Sequence, residues 1–322
     1  MPLTEPDGVD RPRHPERTVV YRLFEEHFER YVRVYENRYE AREGSLRRVV
    51  PTAVEAYLAC GRPEGGFARI RCPNCRAEHL LAVSCRTRNF CPSCQAKRSA
   101  LFAEHVITEI LEPVPHRHVV LTIPRALRGM FQRERELLGL LARAARDAIV
   151  TSVRAILDRR DVTPGLVLSI QTFGSYAPNF HPHVHALVTD GAYTREGEFL
   201  QLPHFDARLV EEACRRRLSE EFLRSLLGWV HSGFSAHGEQ TVPAEDVKGT
   251  ERLARYLTRG PLPIDVVEKA EGGRLRVRTP PDPRTGLTDK LLDALALIHA
   301  LTTQIPDPGQ HLVRYCGWYA NR

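Results

Sequence analysis

Residues 183–185 read His-Val-His at the head of an apolar run, His183-Val-His-Ala-Leu-Val-Thr189. Along a β-strand, side chains at i and i+2 share a face. Two imidazoles so placed can grip one divalent cation, while Val184, Leu187 and Val188 anchor the strand. A hard, phosphate-activating ion also calls for an oxygen ligand and open positions. Gln171 is the candidate third ligand, on the apolar stretch Val167-Leu-Ser-Ile-Gln-Thr-Phe173, with residues 174–182 folding that stretch back beside the histidines. His181 is the rival for that place. Tyr256 is the candidate nucleophile, set between Arg255 and Arg259 in Leu253-Ala-Arg-Tyr-Leu-Thr-Arg259. A tyrosine hydroxyl is a weak nucleophile near neutral pH, its ordinary pKa being ~10. Cations that hold the attacked phosphate, and a metal that polarises it, would offset that weakness.

A second constellation precedes these residues. Six of the eight cysteines fall between 60 and 94. Cys72-Pro-Asn-Cys75 and Cys91-Pro-Ser-Cys94 are separated by fifteen residues. That spacing predicts one structural zinc held by Cys72, Cys75, Cys91 and Cys94. Redox CxxC pairs would need a βαβ context that is missing. Cys60 and Cys85 read either as small buried hydrophobes or as partners of His79 in a second site. Between Gly65 and Ala103 there are seven cations and one acid, Glu78. Arg86, Arg88, Lys97 and Arg98 from this block, with Arg255 and Arg259, are the candidate DNA contacts. The net charge of +6 agrees with such a partner.

The elements that must position these groups follow from periodicity. Residues 1–17, rich in proline and charge, read as a disordered lead-in. Tyr21, Phe24, Phe28, Tyr31, Val32 and Tyr35 predict an amphipathic helix over 18–36, and Pro51 opens a second one at 52–58. Residues 96–112, 131–158, 206–228 and 251–258 predict further helices. His116–Pro124, Leu166–Phe173 and Val184–Thr189 predict strands, with a turn at Asp190-Gly191. The order from 116 onward predicts an α+β domain with an antiparallel sheet. The expected division is 18–105, N-terminal helices with a zinc-ribbon-like domain, and 106–322, the catalytic domain. No apolar run is long enough to span a membrane and no leader opens the chain, so the expected location is cytoplasmic.

From about residue 18 onward the chain resembles the HUH-type rolling-circle transposases of the insertion-sequence 91 family. The resemblance rests on Cys60-Gly, Gly66-Phe-Ala-Arg-Ile-Arg-Cys72, Phe90-Cys-Pro-Ser-Cys94, His118-Val-Val-Leu-Thr-Ile-Pro124, Gln171-Thr-Phe-Gly-Ser175, His183-Val-His185, Trp229-Val-His-Ser-Gly-Phe-Ser235, Arg255-Tyr256 and His311-Leu-Val-Arg-Tyr315, in that order. It implies an HUH nuclease domain with a central antiparallel sheet flanked by helices. It makes His183 and His185 ligands of a catalytic Mg²⁺ or Mn²⁺, Tyr256 the nucleophile, and zinc the structural ion. The implied activity is single-strand DNA cleavage and strand transfer through a 5′-phosphotyrosine, on single-stranded or hairpin element ends, in a nucleoid-associated protein. Some members carry two tyrosines four apart; here Arg252 and Gly260 stand at the flanking positions, so one tyrosine per subunit, or a second subunit of a homodimer, would have to suffice. The rivals are a plasmid relaxase or replication initiator, a zinc hydrolase built on the His pair with Asp190 as its carboxylate, and a non-catalytic zinc-ribbon DNA-binding protein.

Overall fold

The structure is a computed structural model that describes residues 15–174, 179–221, 233–261, 266–282 and 285–320. Helices α1 (Val19–Tyr35) and α2 (Val49–Leu58) lead into a hairpin, β1 (Phe67–Arg71) and β2 (Glu78–Ala82), and then α3 (Pro92–His105). The second part of the chain begins with β3 (His116–Thr122), α4 (Leu137–Ile156), β4 (Gly165–Phe173) and β5 (Phe180–Thr189). A short hairpin, β6 (Gly191–Tyr193) and β7 (Phe199–Gln201), precedes α5 (Ala207–Glu221). Strands β8 (Ser235–His237) and β9 (Thr241–Val242) come next, then α6 (Val247–Leu257). The last elements are β10 (Val267–Lys269), β11 (Leu275–Arg278), β12 (Asp289–Leu292), α7 (Ala294–Thr302) and β13 (Val313–Gly317).

The central sheet runs β13-β4-β5-β3-β8, with β9 also on β3, and every pairing is antiparallel. This is the α+β arrangement expected. Alternation along β5 divides its side chains. Val184, Ala186 and Val188 face the main core with Leu168, Ile170, Val119 and Leu121, under Leu138, Leu141, Ala145 and Ile149 of α4. His183, His185 and Leu187 face the other way. There, Val167 and Leu187 pack with Ala103 of α3 and with Ala254 and Leu257 of α6.

Helix α1 starts where predicted because Thr18 caps it, its Oγ1 accepting the Tyr21 N–H at 3.1 Å. The long helix expected over 131–158 is broken: Arg128–Arg133 forms a separate short helix, and Glu134 leaves helical geometry before α4 begins. Tyr21, Phe24, Tyr31 and Tyr57 from the N-terminal helices share one core with Phe90, Val267, Val277, Leu297, Ile298 and Ile305. The 18–105 unit expected from sequence therefore closes its core with residues from the C-terminal third of the chain. The predicted lead-in up to residue 14, the end of the predicted 206–228 helix, and Trp229 to Ser232 lie outside the described residues.

Candidate active site and zinc centre

Register explains why the candidate catalytic groups meet. Gln171 on β4 pairs with His183 on β5, Ser169 with His185, and Thr122 and Val120 of β3 flank the same two histidines on the other side. His183 and His185 turn their Nε2 atoms toward each other, 2.9 Å apart. Two neighbouring positions around an octahedral ion with ligands at about 2.05 Å lie about 2.9 Å apart, so the pair fits a shared divalent ion. His183 Nδ1 faces the His181 carbonyl at 2.7 Å, which leaves its Nε2 lone pair pointing at this point. Burial holds both imidazoles neutral: His183 is pushed down to about 3, and His185 is depressed further by burial and by its neighbours His183 and His118. Neutral imidazole is the ligating form.

His118 is a site residue that the sequence does not single out. It lies on β3, and its Nε2 meets His185 Nδ1 at 2.9 Å, with the rings stacked. It therefore fixes the orientation and tautomer of His185 from behind. The signal is present as His116-Arg-His118, the same i, i+2 spacing, on a strand whose place beside β5 only the fold reveals. His181 lies nearby with a buried Nε2 that lacks a hydrogen-bond partner among the described residues.

Tyr256 sits in the last turn of α6, half-buried. Its ring stands edge-on to His185 at 5.1 Å and to His118 at 5.8 Å. Arg259 lies over the Tyr256 ring at 4.4 Å and over Phe173 at 5.4 Å. Helix α6 is anchored from below. Asp246 caps its start by accepting the Gly249 N–H. Ser169 donates to the Leu257 carbonyl at 2.5 Å, and the Gln171 amide donates to the Tyr256 and Leu257 carbonyls at 2.9 and 3.2 Å. Gln171 thus reaches the site, but its amide grips the helix end that carries the tyrosine. Its Oε1 lies 3.5 Å from Arg259 Nε. These groups line an open cleft of about 1460 Å³, which also exposes Arg125, Arg128, Arg252 and Lys290. A cleft this wide with a cationic wall suits a polyanion.

Among the predicted DNA contacts, Arg86, Lys97, Arg98 and Arg255 are exposed, the last bridged to Glu251 at 2.8 Å. Arg259 belongs to the cleft. Arg88 is used differently. Its guanidinium donates to the carbonyls of Gln310 and Asp307 at 2.6 and 3.2 Å, and so ties the zinc region to the C-terminal segment. Asp190 is also committed, pairing with Arg117 at 2.8 Å at the far end of β5.

The cysteine expectation needs correction. The four sulfurs that converge belong to Cys60, Cys85, Cys91 and Cys94, all within 4.8 Å of one another. The separations Cys60–Cys94, Cys85–Cys94 and Cys60–Cys91 are 3.6, 3.6 and 3.8 Å. A tetrahedral zinc with sulfur at 2.3 Å sets its ligands about 3.8 Å apart, so this set fits the ion. Hydrogen bonds from Cys60, Cys85 and Cys91 pull the Cys94 thiol well below the ordinary thiol range. Cys60 follows the end of α2, Cys85 follows the hairpin, Cys91 caps α3, and Cys94 lies in its first turn. Cys72 and Cys75 stand apart at the hairpin tip, because β1 and β2 pair in register and carry the tip away from α3. The spacing rule locates the right kind of site but selects the wrong first pair.

Comparison with known proteins agrees with this anatomy. Residues 25–123 match the "Transposase zinc-binding domain" family, and residues 165–322 match the family described as "Putative transposase". The transposase for insertion sequence element IS801 of Pseudomonas savastanoi pv. phaseolicola is 27% identical over 309 residues, covering 87% of this chain and 72% of that protein. The "Putative transposase y4qJ" of Sinorhizobium fredii is 30% identical over 325 residues, covering 92% of this chain and 79% of that protein. No solved structure matches the chain. The two matched domains in this order, and the extent of these relatives, show that the chain belongs to the insertion-sequence 91 family of transposases, with an N-terminal zinc-binding domain.

Proposed function

We propose that this transposase is an HUH nuclease that cuts one DNA strand at the ends of an insertion sequence and stays attached to it through Tyr256. The observation that carries this reading is the meeting, in one cationic cleft, of two imidazole Nε2 atoms 2.9 Å apart and a tyrosine ring 5.1 Å from one of them. His183 and His185 would hold the divalent ion, Mg²⁺ or Mn²⁺, which when bound polarises the phosphate under attack. Tyr256 Oη gives up its proton to solvent and forms a bond to phosphorus, the bond from phosphorus to the 3′-oxygen breaks, and that oxygen leaves as a 3′-hydroxyl after taking up a proton. The 5′-phosphotyrosine conserves the bond energy, so a later 3′-hydroxyl can reverse the step and join the strand elsewhere. Arg259, held over the Tyr256 ring, is placed to meet the phosphate charge.

Such chemistry implies single-stranded or hairpin DNA as substrate, read by basic and stacking contacts, and a place with the nucleoid. Among the described residues no helix is long and apolar enough to cross a membrane. The hydrolase alternative loses its carboxylate, since Asp190 is tied to Arg117. The test is a denaturing gel of the protein mixed with labelled single-stranded DNA from the element ends plus Mg²⁺ or Mn²⁺. A covalent adduct that disappears in Tyr256→Phe and in His183→Ala supports the proposal. Binding without adduct, across several end sequences and both metals, leaves a DNA-binding module and refutes it.

A further inference from the structure

The four-cysteine centre leaves Cys72 and Cys75 over. They form the tip of the β1–β2 hairpin, where Cys72 N–H donates to the Ala77 carbonyl and Arg76 N–H donates to the Cys72 carbonyl, at 2.9 and 3.0 Å. Arg76 adopts φ +58° to close the turn. The Cys72 sulfur accepts the backbone N–H groups of Cys75 and Asn74 and meets the Cys75 thiol. A tetrahedral zinc site takes four ligands. Among the described residues, no third cysteine, histidine or carboxylate joins these two.

The hairpin beneath them is equally incomplete. Every residue of β1 and all but the last of β2 are exposed. Phe67 and Leu80 lie on one face and Ile70 and Leu81 on the other, and each is 51–56% exposed. A lone two-stranded hairpin is marginal in water and presents two open edges. Its base is secured, since Val83 N–H donates to the Gly66 carbonyl and Gly61 N–H to the Val83 carbonyl. Its basic side chains are partly neutralised, because Arg69 and Arg71 both bridge Glu78.

We infer that the hairpin joins two copies of this chain, Cys72 and Cys75 of each copy together completing one four-thiolate zinc site on a two-fold axis. The surface is self-complementary in the required sense: each copy brings half of the ligand set, and the missing half is identical to what it already has. Binding displaces the thiol protons to solvent as the zinc–sulfur bonds form. The apolar residues on the hairpin face turned toward the partner are then covered in the same contact.

The signature is half an ion per chain. Zinc content and solution mass of the full-length protein would be measured beside Cys72→Ser/Cys75→Ser, with light scattering giving the mass. The parent should be a dimer, and the double variant a monomer with about 0.5 zinc per chain less. Whatever the histidine site holds is common to both proteins. Retention of the zinc bound by Cys60, Cys85, Cys91 and Cys94 shows in the same sample that the variant is folded. A variant with unchanged mass and zinc overturns the inference. Loss of a whole ion per chain at constant mass does too, since the site would then close within one chain. Loss of DNA binding alone, with mass and zinc unchanged, would make the hairpin a DNA contact instead.

Discussion

Gln95 donates its side-chain amide to the Thr258 carbonyl at 2.6 Å, and Ser99 donates to the same oxygen at 2.5 Å. Gln95 follows Cys94 directly, and Thr258 lies two residues beyond Tyr256. The helix that starts at the four-cysteine centre therefore holds the end of the helix that presents Tyr256. Gln95 is itself fixed, its Oε1 accepting the Asn89 N–H at 2.9 Å. A buried carbonyl deprived of its donors costs about 1–3 kcal/mol. Gln95→Ala combined with Ser99→Ala should slow adduct formation about ten-fold or more while zinc content stays at the parent value. Ser99→Thr, which keeps a hydroxyl, should restore part of the rate. An unchanged rate in the double variant would show that the contact does not position Tyr256.

Zinc content separates the two cysteine groups. Cys85→Ser removes one of the four converging sulfurs and should release that ion, lower the melting temperature and abolish adduct formation, because α3 loses its anchor. Cys72→Ser leaves that centre intact and should keep that ion and adduct formation, losing at most the half-ion per chain of the shared site inferred above. The spacing-based assignment makes the opposite forecast for Cys85, so metal analysis of the two variants decides between them.

His118→Ala should raise the metal concentration needed for half-maximal adduct formation, typically 10- to 100-fold for loss of such an outer-shell partner. His185→Ala should abolish adduct formation at any metal concentration tested. Equal loss in both variants would mean that His118 binds the metal itself.

Stability should depend on pH through the buried histidines. His116 is 3% exposed, and its Nε2 meets the Tyr319 hydroxyl at 2.8 Å. Burial pushes it down to about 4 from the ordinary 6.5. Between those values the unfolded chain binds a proton that the folded chain refuses. The stabilising contribution is thus complete above pH 6.5 and is lost as pH falls toward 4. His116→Gln should flatten the slope of stability against pH in that window by about 1.4 kcal/mol per unit, read from urea unfolding at a series of pH values. An unaltered slope would assign the dependence to other groups.

The parts of this protein written in short sequence are legible in it. The i, i+2 histidines, the capped and amphipathic α1, and the apolar strands β3, β4 and β5 all follow from local periodicity. What escapes is set by pairing between distant segments. His118 joins the site only because β3 lies beside β5, and Cys60 and Cys85 join Cys91 and Cys94 only because the hairpin swings Cys72 and Cys75 away. Gln171 stands at the right register, but its amide is directed by the carbonyls of α6, which no spacing along β4 announces. Arg88, one cation in a basic run, spends its charge on the carbonyls of Asp307 and Gln310.

The hydroxyl of Tyr31 meets His299 Nδ1 at 3.1 Å and Thr302 Oγ1 at 3.2 Å, across 268 and 271 residues of chain. The aromatic side chains of α1 leave the ribosome long before α7, the element that must cover them. Contacts between such remote segments form slowly. A copy of the gene with a stop codon before α7 would leave Tyr31, Tyr35 and Tyr39 without the His299 ring that all three pack against. Truncated copies would thus aggregate or be degraded, and would not accumulate as DNA-binding competitors of the intact protein.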